Sequence, residues 1–205
     1  MYVEYFIEFD KTGFPLIGRS DWNYSISLFP VSKYQFERFM IEEGINGSLY
    51  TDAWYRELLK KNPRASWKNW MHGHEHPWEL FLTGVKPEEI NPFLRYLGKN
   101  FTLPTVEQRL ELLRSSEEIH QIDKQKLISL CKDKAAPPVA YWVEKGLFPL
   151  VRQGLLETVK TDNNYRYIGK PWQGLHNQTW SPEDVREVNW DICSHIVGFR
   201  VVKNG

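Results

Sequence analysis

The sequence is short of cysteine, of net charge and of long apolar runs, and each shortage excludes a class of protein. Two cysteines in 205 residues, Cys131 and Cys193, are too few for a disulfide-stapled secreted domain. The 26 basic and 26 acidic residues cancel, so no cationic excess is present to neutralise phosphates, which disfavours general nucleic-acid binding. No apolar run approaches the roughly 20 residues that span a bilayer, and residues 1–10 lack the features of a signal peptide. We therefore expect a cytoplasmic protein without membrane association.

Aromatic residues and a mixed order of helix and strand signals are what the sequence does contain. Phe, Trp and Tyr make up 15% of the chain, enough ring surface for a wide core, a recognition surface or both. The length suits one domain with its own core, which we expect to span residues 1–205. Strand-like segments lie towards both ends, at 1–10, 24–29, 139–143, 165–168 and 197–202. We therefore expect an α+β fold whose terminal strands share a sheet.

Helix signals lie between these strands. Two capping boxes, Ser32 with Gln35 and Thr105 with Gln108, predict the starts of two helices. Residues at helical spacing then predict the buried faces, which are Phe36, Phe39 and Met40 in the first helix and Val106, Leu110 and Leu113 in the second. A further short helix is predicted over 123–131.

A third helix is indicated between Pro87 and Gly98, where a proline near the start and a glycine at the end match the preferences of helix termini. Its predicted buried face consists of Ile90, Phe93, Leu94 and Leu97. Pro92 conflicts with a helix that begins at Pro87. Either Pro92 kinks the helix, or the helix begins later, with Asn91 as its N-cap.

Six stretches of the chain, in order, resemble the formylglycine-generating enzyme (sulfatase-modifying factor) family. They are V-S-K-Y-Q-F-E-R-F at 31–39, G-V-K-P-E-E-I-N-P-F-L-R-Y-L-G-K at 84–99, L-P-T at 103–105 with Arg114 after it, G-L-F at 146–148 with Q-G-L-L-E-T at 153–158, Y-R-Y-I-G-K-P-W at 165–172, and the closing G-F-R-V-V at 198–202. The resemblance implies a variant of the C-type lectin fold, with short helices packed on small antiparallel sheets and much loop.

The resemblance also shows what this chain lacks. It implies an enzyme that binds copper through two closely spaced cysteines on a late strand and uses oxygen to convert a substrate cysteine to formylglycine. Here only Cys193 follows Trp172, and Cys131 lies in a helical insertion. One thiolate cannot supply the two-coordinate ligation that Cu(I) needs. We therefore expect a divergent, non-catalytic member, a pseudoenzyme with no catalytic residue and no cofactor.

Calcium is a second departure from the resemblance. The family stretch that supplies oxygen ligands to a structural calcium has its Asn at Gly154 and its Glu at Glu157. Losing a side-chain donor weakens a site that needs six or more oxygens. We expect Glu157 to be salt-bridged or solvated, with a residual calcium site left open. Family tryptophans are replaced at four positions, Pro87, Arg109, Leu156 and Thr158.

Two local clusters invite a metal or catalytic interpretation. His72, His74 and His76 alternate, so an extended segment would place them on one face as metal ligands. This keeps open an alternative function, a metal-dependent oxidoreductase of altered chemistry, against the simpler interpretation of a polar loop. Cys193 and His195 are also two apart, but for Cys193 the expected role is a small buried hydrophobe.

The segment 172–190 combines aromatic rings with amides and an arginine. The resemblance places it on the ligand-facing surface of the fold, with Trp172 in the core. Rigid rings beside adaptable amides suit recognition of a protein or peptide, and calcium-lectin tripeptides are absent, which disfavours carbohydrate. The predicted binding surface consists of His176, Asn177, Trp180, Arg186 and Trp190. By analogy, such a domain acts as an accessory component of a bacterial signalling or defence system.

Overall fold

Strands lie towards both ends of the chain, with helices between them. The computed structural model describes residues 3–43, 81–120, 129, 135–136, 139, 155–171 and 180–205. Within these ranges the strands are β1 Tyr5–Phe9, β2 Pro15–Arg19, β3 Tyr24–Ser27, β4 Phe101–Thr102, β5 Leu156–Lys160, β6 Tyr165–Ile168, β7 Val185–Arg186, β8 Val197–Phe199 and β9 Val202–Asn204. The helices are α1 Lys33–Glu43, α2 Asn91–Leu97, α3 Val106–Arg114, α4 Ser116–His120 and α5 Trp190–Cys193, with 3-10 turns at Pro87–Glu89 and Ser194–Ile196. The predicted α+β class is confirmed, and no helix in these ranges is long and apolar enough to cross a bilayer.

The first sheet joins the earliest strands to the last one. Its order is β1-β2-β3-β9-β4, and every neighbouring pair is antiparallel. Ile26 of β3 lies opposite Val202 of β9, and both side chains are fully buried. The prediction that the terminal strands share a sheet is confirmed.

The second sheet has the order β7-β6-β5-β8. Strands β5 and β8 are parallel, with Leu156 opposite Val197, whereas the other pairs are antiparallel. The predicted strand at 165–168 is confirmed as β6. A backbone hydrogen bond from Lys160 N to Pro104 O, 2.9 Å long, holds the start of α3 beside the end of β5.

The closing segment passes from one sheet to the other. The sequence predicts one strand over 197–202, and this is wrong: β8 belongs to the second sheet and β9 to the first. Between them, Phe199 O accepts from Val31 N at 2.8 Å and Val201 O accepts from Ser27 N at 2.9 Å. Because β8 pairs with β5 of the second sheet and β9 pairs with β3 and β4 of the first, distant partners divide a segment whose composition alone favours a single strand.

Both predicted capping boxes are present. Gln35 N donates to Ser32 Oγ at 3.1 Å while Ser32 N donates to Gln35 Oε1 at 2.9 Å, and Thr105 and Gln108 exchange the equivalent pair at 2.9 and 3.2 Å. In α1 the predicted face, Phe36, Phe39 and Met40, is buried. In α3 the buried positions are Arg109, Leu112 and Leu113, so an arginine occupies the inner face where Val106 and Leu110 were expected.

The helix around Pro92 begins differently from either prediction. A 3-10 turn at Pro87–Glu89 ends at Ile90, which is the N-cap of α2, and Pro92 lies within the first helical turn. Proline is tolerated there because the first amides of a helix have no intrahelical partner. The predicted kink at Pro92 and the predicted N-cap at Asn91 are therefore both wrong. The four residues of the predicted apolar face are all buried.

The predicted strand at 139–143 is wrong at its first residue. Val139 is helical and fully buried, and its amide donates to Ala136 O at 3.0 Å. Short apolar runs fit a buried helical turn as well as a strand, and periodicity alone does not separate the two. The rest of this segment, and the predicted helix at 123–131 apart from Ser129, lie outside the described residues.

Three hydrophobic clusters fill the interior. The first lies between the five-stranded sheet and α3 and includes Ile17, Ile26 and Leu112. The second packs α1 and α2 against the closing segment, with Phe36, Phe93 and Phe199 at its centre. The third, smaller cluster consists of Leu156, Cys193, Ile196 and Val197, and partly buried Tyr167, Trp180, Val188 and Trp190 pack against it. This third cluster carries the tryptophans of the predicted binding surface.

A tight turn between β1 and β2 is organised by a buried carboxylate. Asp10 Oδ1 accepts from Thr12 N at 2.8 Å, Thr12 Oγ1 at 2.5 Å and Phe14 N at 3.1 Å, and Oδ2 accepts from Gln35 Nε2 at 3.1 Å. Because Gln35 also caps α1, the turn fixes that helix to the first sheet. Burial raises the pKa of Asp10 above its ordinary value, in opposition to these hydrogen bonds.

Asp10 predicts a specific pH dependence of stability. A carboxyl whose pKa is higher in the folded than in the unfolded state favours folding at low pH, and that contribution is lost as pH rises from 3.8 through the folded pKa. The stability of the wild type relative to Asp10→Asn should therefore fall as pH rises from about 3 to 7. Urea unfolding of both proteins across this range measures the difference. If the stability of the wild type relative to Asp10→Asn instead rises with pH, the pKa of Asp10 is not raised in the folded state.

Candidate binding surface

Trp180 and Arg186 form a stacked pair at the edge of the second sheet. The guanidinium carbon of Arg186 lies 4.1 Å from the centroid of the Trp180 ring, within the range of a cation–π contact. The intervening chain turns back on itself, because Asp184 N donates to Ser181 O at 3.2 Å and Ser181 N donates to Asp184 Oδ2 at 3.1 Å. Arg186 also pairs with Asp184. The turn therefore brings together two residues that the sequence predicts for recognition.

Trp190 lies at the start of α5. The side chain of Asn189 caps this helix by accepting from Asp191 N at 3.1 Å. The Trp190 ring packs against Tyr167 of β6, with 6.2 Å between the ring centroids. Trp180 and Trp190 are both half-buried and both pack against the third cluster. Each ring is thus anchored on one side while part of it stays accessible.

A cavity of about 420 Å³ lies beside Trp190. Its lining consists of Lys86, Trp190, Asp191, Ser194 and His195. An indole ring, an ammonium, an imidazole, a carboxylate and a hydroxyl therefore share one depression. Lys86 was missed by the sequence reasoning, since an exposed lysine before Pro87 carries no local signal. Together, Trp180, Arg186, Trp190 and the residues of this cavity are the candidate surface.

The remaining predicted residues lie outside the described part of the chain. These are His176 and Asn177 of the binding surface, His72, His74 and His76 of the histidine cluster, Trp172, and Cys131. Among the residues that the structure describes, no group of three or more His, Cys, Asp or Glu side chains is placed to hold a metal ion.

Cys193 is buried, as predicted. Its side chain belongs to the third cluster and is 9% exposed, and burial raises the pKa of the thiol. A raised pKa opposes formation of the thiolate that nucleophilic catalysis and copper ligation require.

Glu157 is the centre of a buried ion cluster. The Arg109 guanidinium donates from Nε to Oε2 at 2.8 Å and from Nη2 to Oε1 at 3.0 Å, and Arg200 Nε donates to Oε2 at 2.8 Å. Glu157 is 2% exposed and the two arginines 1% and 0%. Burial by itself raises the pKa of Glu157, but the two guanidiniums outweigh it and hold that pKa below its usual value. The carboxylate is therefore ionised at neutral pH.

The cluster joins elements from the whole chain. Arg200 lies in the crossing between β8 and β9, and its Nη1 donates to the carbonyl oxygens of Ser27, at 3.0 Å, and Leu28. Burial lowers the pKa of Arg200 to about 10, which still leaves it charged at neutral pH. Arg109 comes from α3 and Glu157 from β5. The cluster thus connects a helix with both sheets.

This arrangement does not fit a calcium ion at Glu157. Both carboxylate oxygens accept hydrogen bonds from guanidiniums, and two buried positive charges beside them would repel a divalent cation. The salt-bridged role expected for Glu157 is confirmed. Sequence reasoning missed the partners, although an arginine at 109, in place of a tryptophan of the resembling family, was a signal that this position had changed its chemistry.

Comparison with known proteins adds no relative. No protein-family model matches the chain, and no curated protein sequence matches it. The resemblance to formylglycine-generating enzymes therefore stays a prediction that depends on the six sequence stretches.

Proposed function

We propose that the chain is a non-catalytic binding domain that recognises a protein or peptide through the candidate surface. The observation that carries this proposal is the Trp180–Arg186 pair and Trp190, anchored on one hydrophobic cluster beside a cavity of mixed polarity. Tryptophan and arginine supply much of the binding energy at protein interfaces. Rings already fixed on one side lose little conformational entropy when a partner covers the other.

The proposal includes a fold assignment that is finer than α+β. We propose one domain over 1–205, a divergent relative of formylglycine-generating enzymes with a variant of the C-type lectin fold. Short helices beside small sheets, and terminal strands that pair, are features that this fold would have. A cytoplasmic location and an accessory role in a bacterial signalling or defence system belong to the same proposal.

Two observations support the absence of the family's chemistry. Cys193 is buried with a raised thiol pKa, whereas copper ligation requires an accessible thiolate pair. Glu157 already binds two arginines, so its carboxylate is committed to structure. The first observation disfavours copper chemistry at Cys193 and the second disfavours a calcium site at Glu157, which supports a domain that acts by binding.

Selection of peptides from a random display library tests the proposal. Peptides selected on the wild type should bind Trp180→Ala and Trp190→Ala at least about tenfold more weakly, as expected for tryptophans at the centre of an interface. Isothermal titration calorimetry of the selected peptides measures the affinities, and thermal unfolding confirms that each variant folds.

Ile41→Ala is the control, because Ile41 is an apolar residue of α1 that is 76% exposed and belongs to neither sheet. Its affinity for the same peptides should equal that of the wild type. Peptides that bind both tryptophan variants with unchanged affinity would remove the candidate surface from the proposal.

A further inference from the structure

Within the described ranges, the outer side of β1 has backbone hydrogen-bonding groups that face no other strand. Strand β1 is at the edge of the first sheet. Ser20 N donates to Glu4 O and Asp10 N donates to Phe14 O, both at 2.9 Å, so the even-numbered residues face β2. In an antiparallel pair the direction of the backbone groups alternates along the strand. The N–H and C=O groups of Tyr5, Ile7 and Phe9 therefore point away from β2, and in the described part of the chain they have no backbone partner.

The side chains hold this edge in a fixed conformation. Tyr5, Ile7 and Phe9 pack partly against the first hydrophobic cluster. On the opposite face the Phe6 ring covers Gly18 of β2, where a Cβ would lie only 2.2 Å from Phe6 Cζ. An aromatic ring over a cross-strand glycine fixes the register of the pair. The strand is therefore extended and ordered before any partner arrives.

Acidic groups surround the edge. Glu4 and Glu8 flank the exposed Phe6 on the outer face, and on the inner side Tyr5 Oη donates to Glu118 Oε2 at 2.6 Å. Glu8 forms an ion pair with Lys203 of β9. Natural edge strands are commonly protected from pairing by charged side chains, proline or a bulge. Strand β1 contains no lysine, proline or bulge, and its one charged residue is the acidic Glu8.

We propose that β1 is a docking edge for an extended peptide segment, one face of which carries an apolar side chain between two basic side chains. The backbone groups of Tyr5, Ile7 and Phe9 would pair with the segment, as in recognition by strand addition. Basic side chains of the segment would lie opposite Glu4 and Glu8, and an apolar side chain opposite Phe6. Cross-strand pairs of opposite charge stabilise a sheet, and so do apolar pairs.

The same charges disfavour a second copy of this chain as the occupant. The antiparallel register that pairs β1 with itself along its whole length is centred on Ile7 and sets each Glu8 opposite a Phe6 ring, so it pairs neither charge with charge nor ring with ring. The register centred on Phe6 sets Glu4 opposite Glu8. Like charges directly opposite each other destabilise a strand pair.

The test uses the peptide Gly-Ser-Lys-Val-Phe-Val-Lys-Ser-Gly, whose pattern is the same in both directions. Titration with this peptide should slow hydrogen exchange at the amides of Tyr5 and Ile7 by at least about tenfold, because these amides become hydrogen-bonded. The amides of Phe6 and Glu8, which face β2, should change little. A peptide with proline in place of both valines lacks the pairing donors and should have no effect.

Charge exchange tests the choice of partner. Glu4→Lys should weaken binding of the lysine peptide by about fivefold and strengthen binding of the corresponding glutamate peptide. Trp180→Ala and Trp190→Ala should bind the lysine peptide as the wild type does, which separates this edge from the candidate surface. Unchanged exchange at Tyr5 and Ile7, or equal affinity for both peptides, would overturn the proposal. So would slowed exchange at these amides at high protein concentration without peptide, since that outcome identifies a second copy as the partner.

Discussion

Replacing Glu157 with glutamine is expected to lower the free energy of unfolding by about 3–5 kcal/mol, the usual cost of removing one partner from a buried ion cluster. The substitution keeps the shape of the side chain but removes the negative charge to which the buried guanidiniums of Arg109 and Arg200 both donate. The NH2 group of glutamine is a donor, so it would face a guanidinium N–H donor where the carboxylate oxygen accepts a hydrogen bond. Urea unfolding followed by tryptophan fluorescence measures the loss.

Two variants make this result specific. Glu107→Gln removes a carboxylate from an ion pair with Arg114 whose side chains are 62% and 68% exposed, and it should cost less than about 0.5 kcal/mol. Arg109→Met leaves Glu157 paired with Arg200, so its effect should be smaller than that of Glu157→Gln. If Glu157→Gln unfolds at the same urea concentration as the wild type, the carboxylate does not hold the cluster together.

Gly13→Ala is expected to cost about 3 kcal/mol, since it combines backbone strain with a collision. Gly13 has φ +81°, in the left-handed region, and an added Cβ would lie 2.6 Å from Ala136 N. That amide donates to Gly13 O at 2.8 Å, so the contact cannot widen without breaking a hydrogen bond. The collision is with backbone, which has no rotamer by which to move away.

Gly98→Ala is the matched control for this effect. Gly98 also has a positive φ, +149°, but its nearest neighbour to an added Cβ is the Phe101 ring at 3.3 Å. With ψ 167° its backbone lies in a region that essentially only glycine occupies, so it should lose the strain energy alone, about 1–3 kcal/mol and less than Gly13→Ala. Thermal unfolding of both variants measures the difference, and equal losses would mean that the contact with Ala136 does not contribute.

The elements that sequence reasoning predicted well are those fixed by local interactions. The capping boxes at Ser32 and Thr105 require only residues three positions apart, and both form the expected hydrogen bonds. The apolar face of α2 follows from periodicity alone. The pairing of the terminal strands was predicted from the order of elements, without knowledge of register.

The wrong predictions concern positions where distant partners decide the conformation. Nothing within 197–202 indicates that Phe199 bonds with Val31 while Val201 bonds with Ser27. Arg109 lies on a face expected to be apolar. Its partner Glu157 is 48 positions away in sequence, so no local pattern predicts the ion pair. Tertiary contacts of this kind override local preference, and a single sequence does not contain their pairing.

The candidate surface was predicted in part for the same reason. Trp180, Arg186 and Trp190 are near one another in sequence, so their composition indicated a shared role, and a turn and a short helix place all three around one cluster. Lys86 lines the cavity from a segment about a hundred positions earlier in the chain. Its position beside Trp190 depends on the tertiary fold, which no local pattern encodes.

The crossing at Arg200 has a consequence for synthesis on the ribosome. Its guanidinium bonds with Ser27 O across 173 positions, and the strands on either side of it complete both sheets. The early strands β1 to β3 therefore leave the ribosome long before the segment that covers β3 exists. Contacts of such long sequence separation slow folding, because the loop must close before they form. Until Val202 is synthesised, the apolar side chain of Ile26 lacks its cross-strand partner, and this is the interval in which a chaperone that binds nascent chains would act.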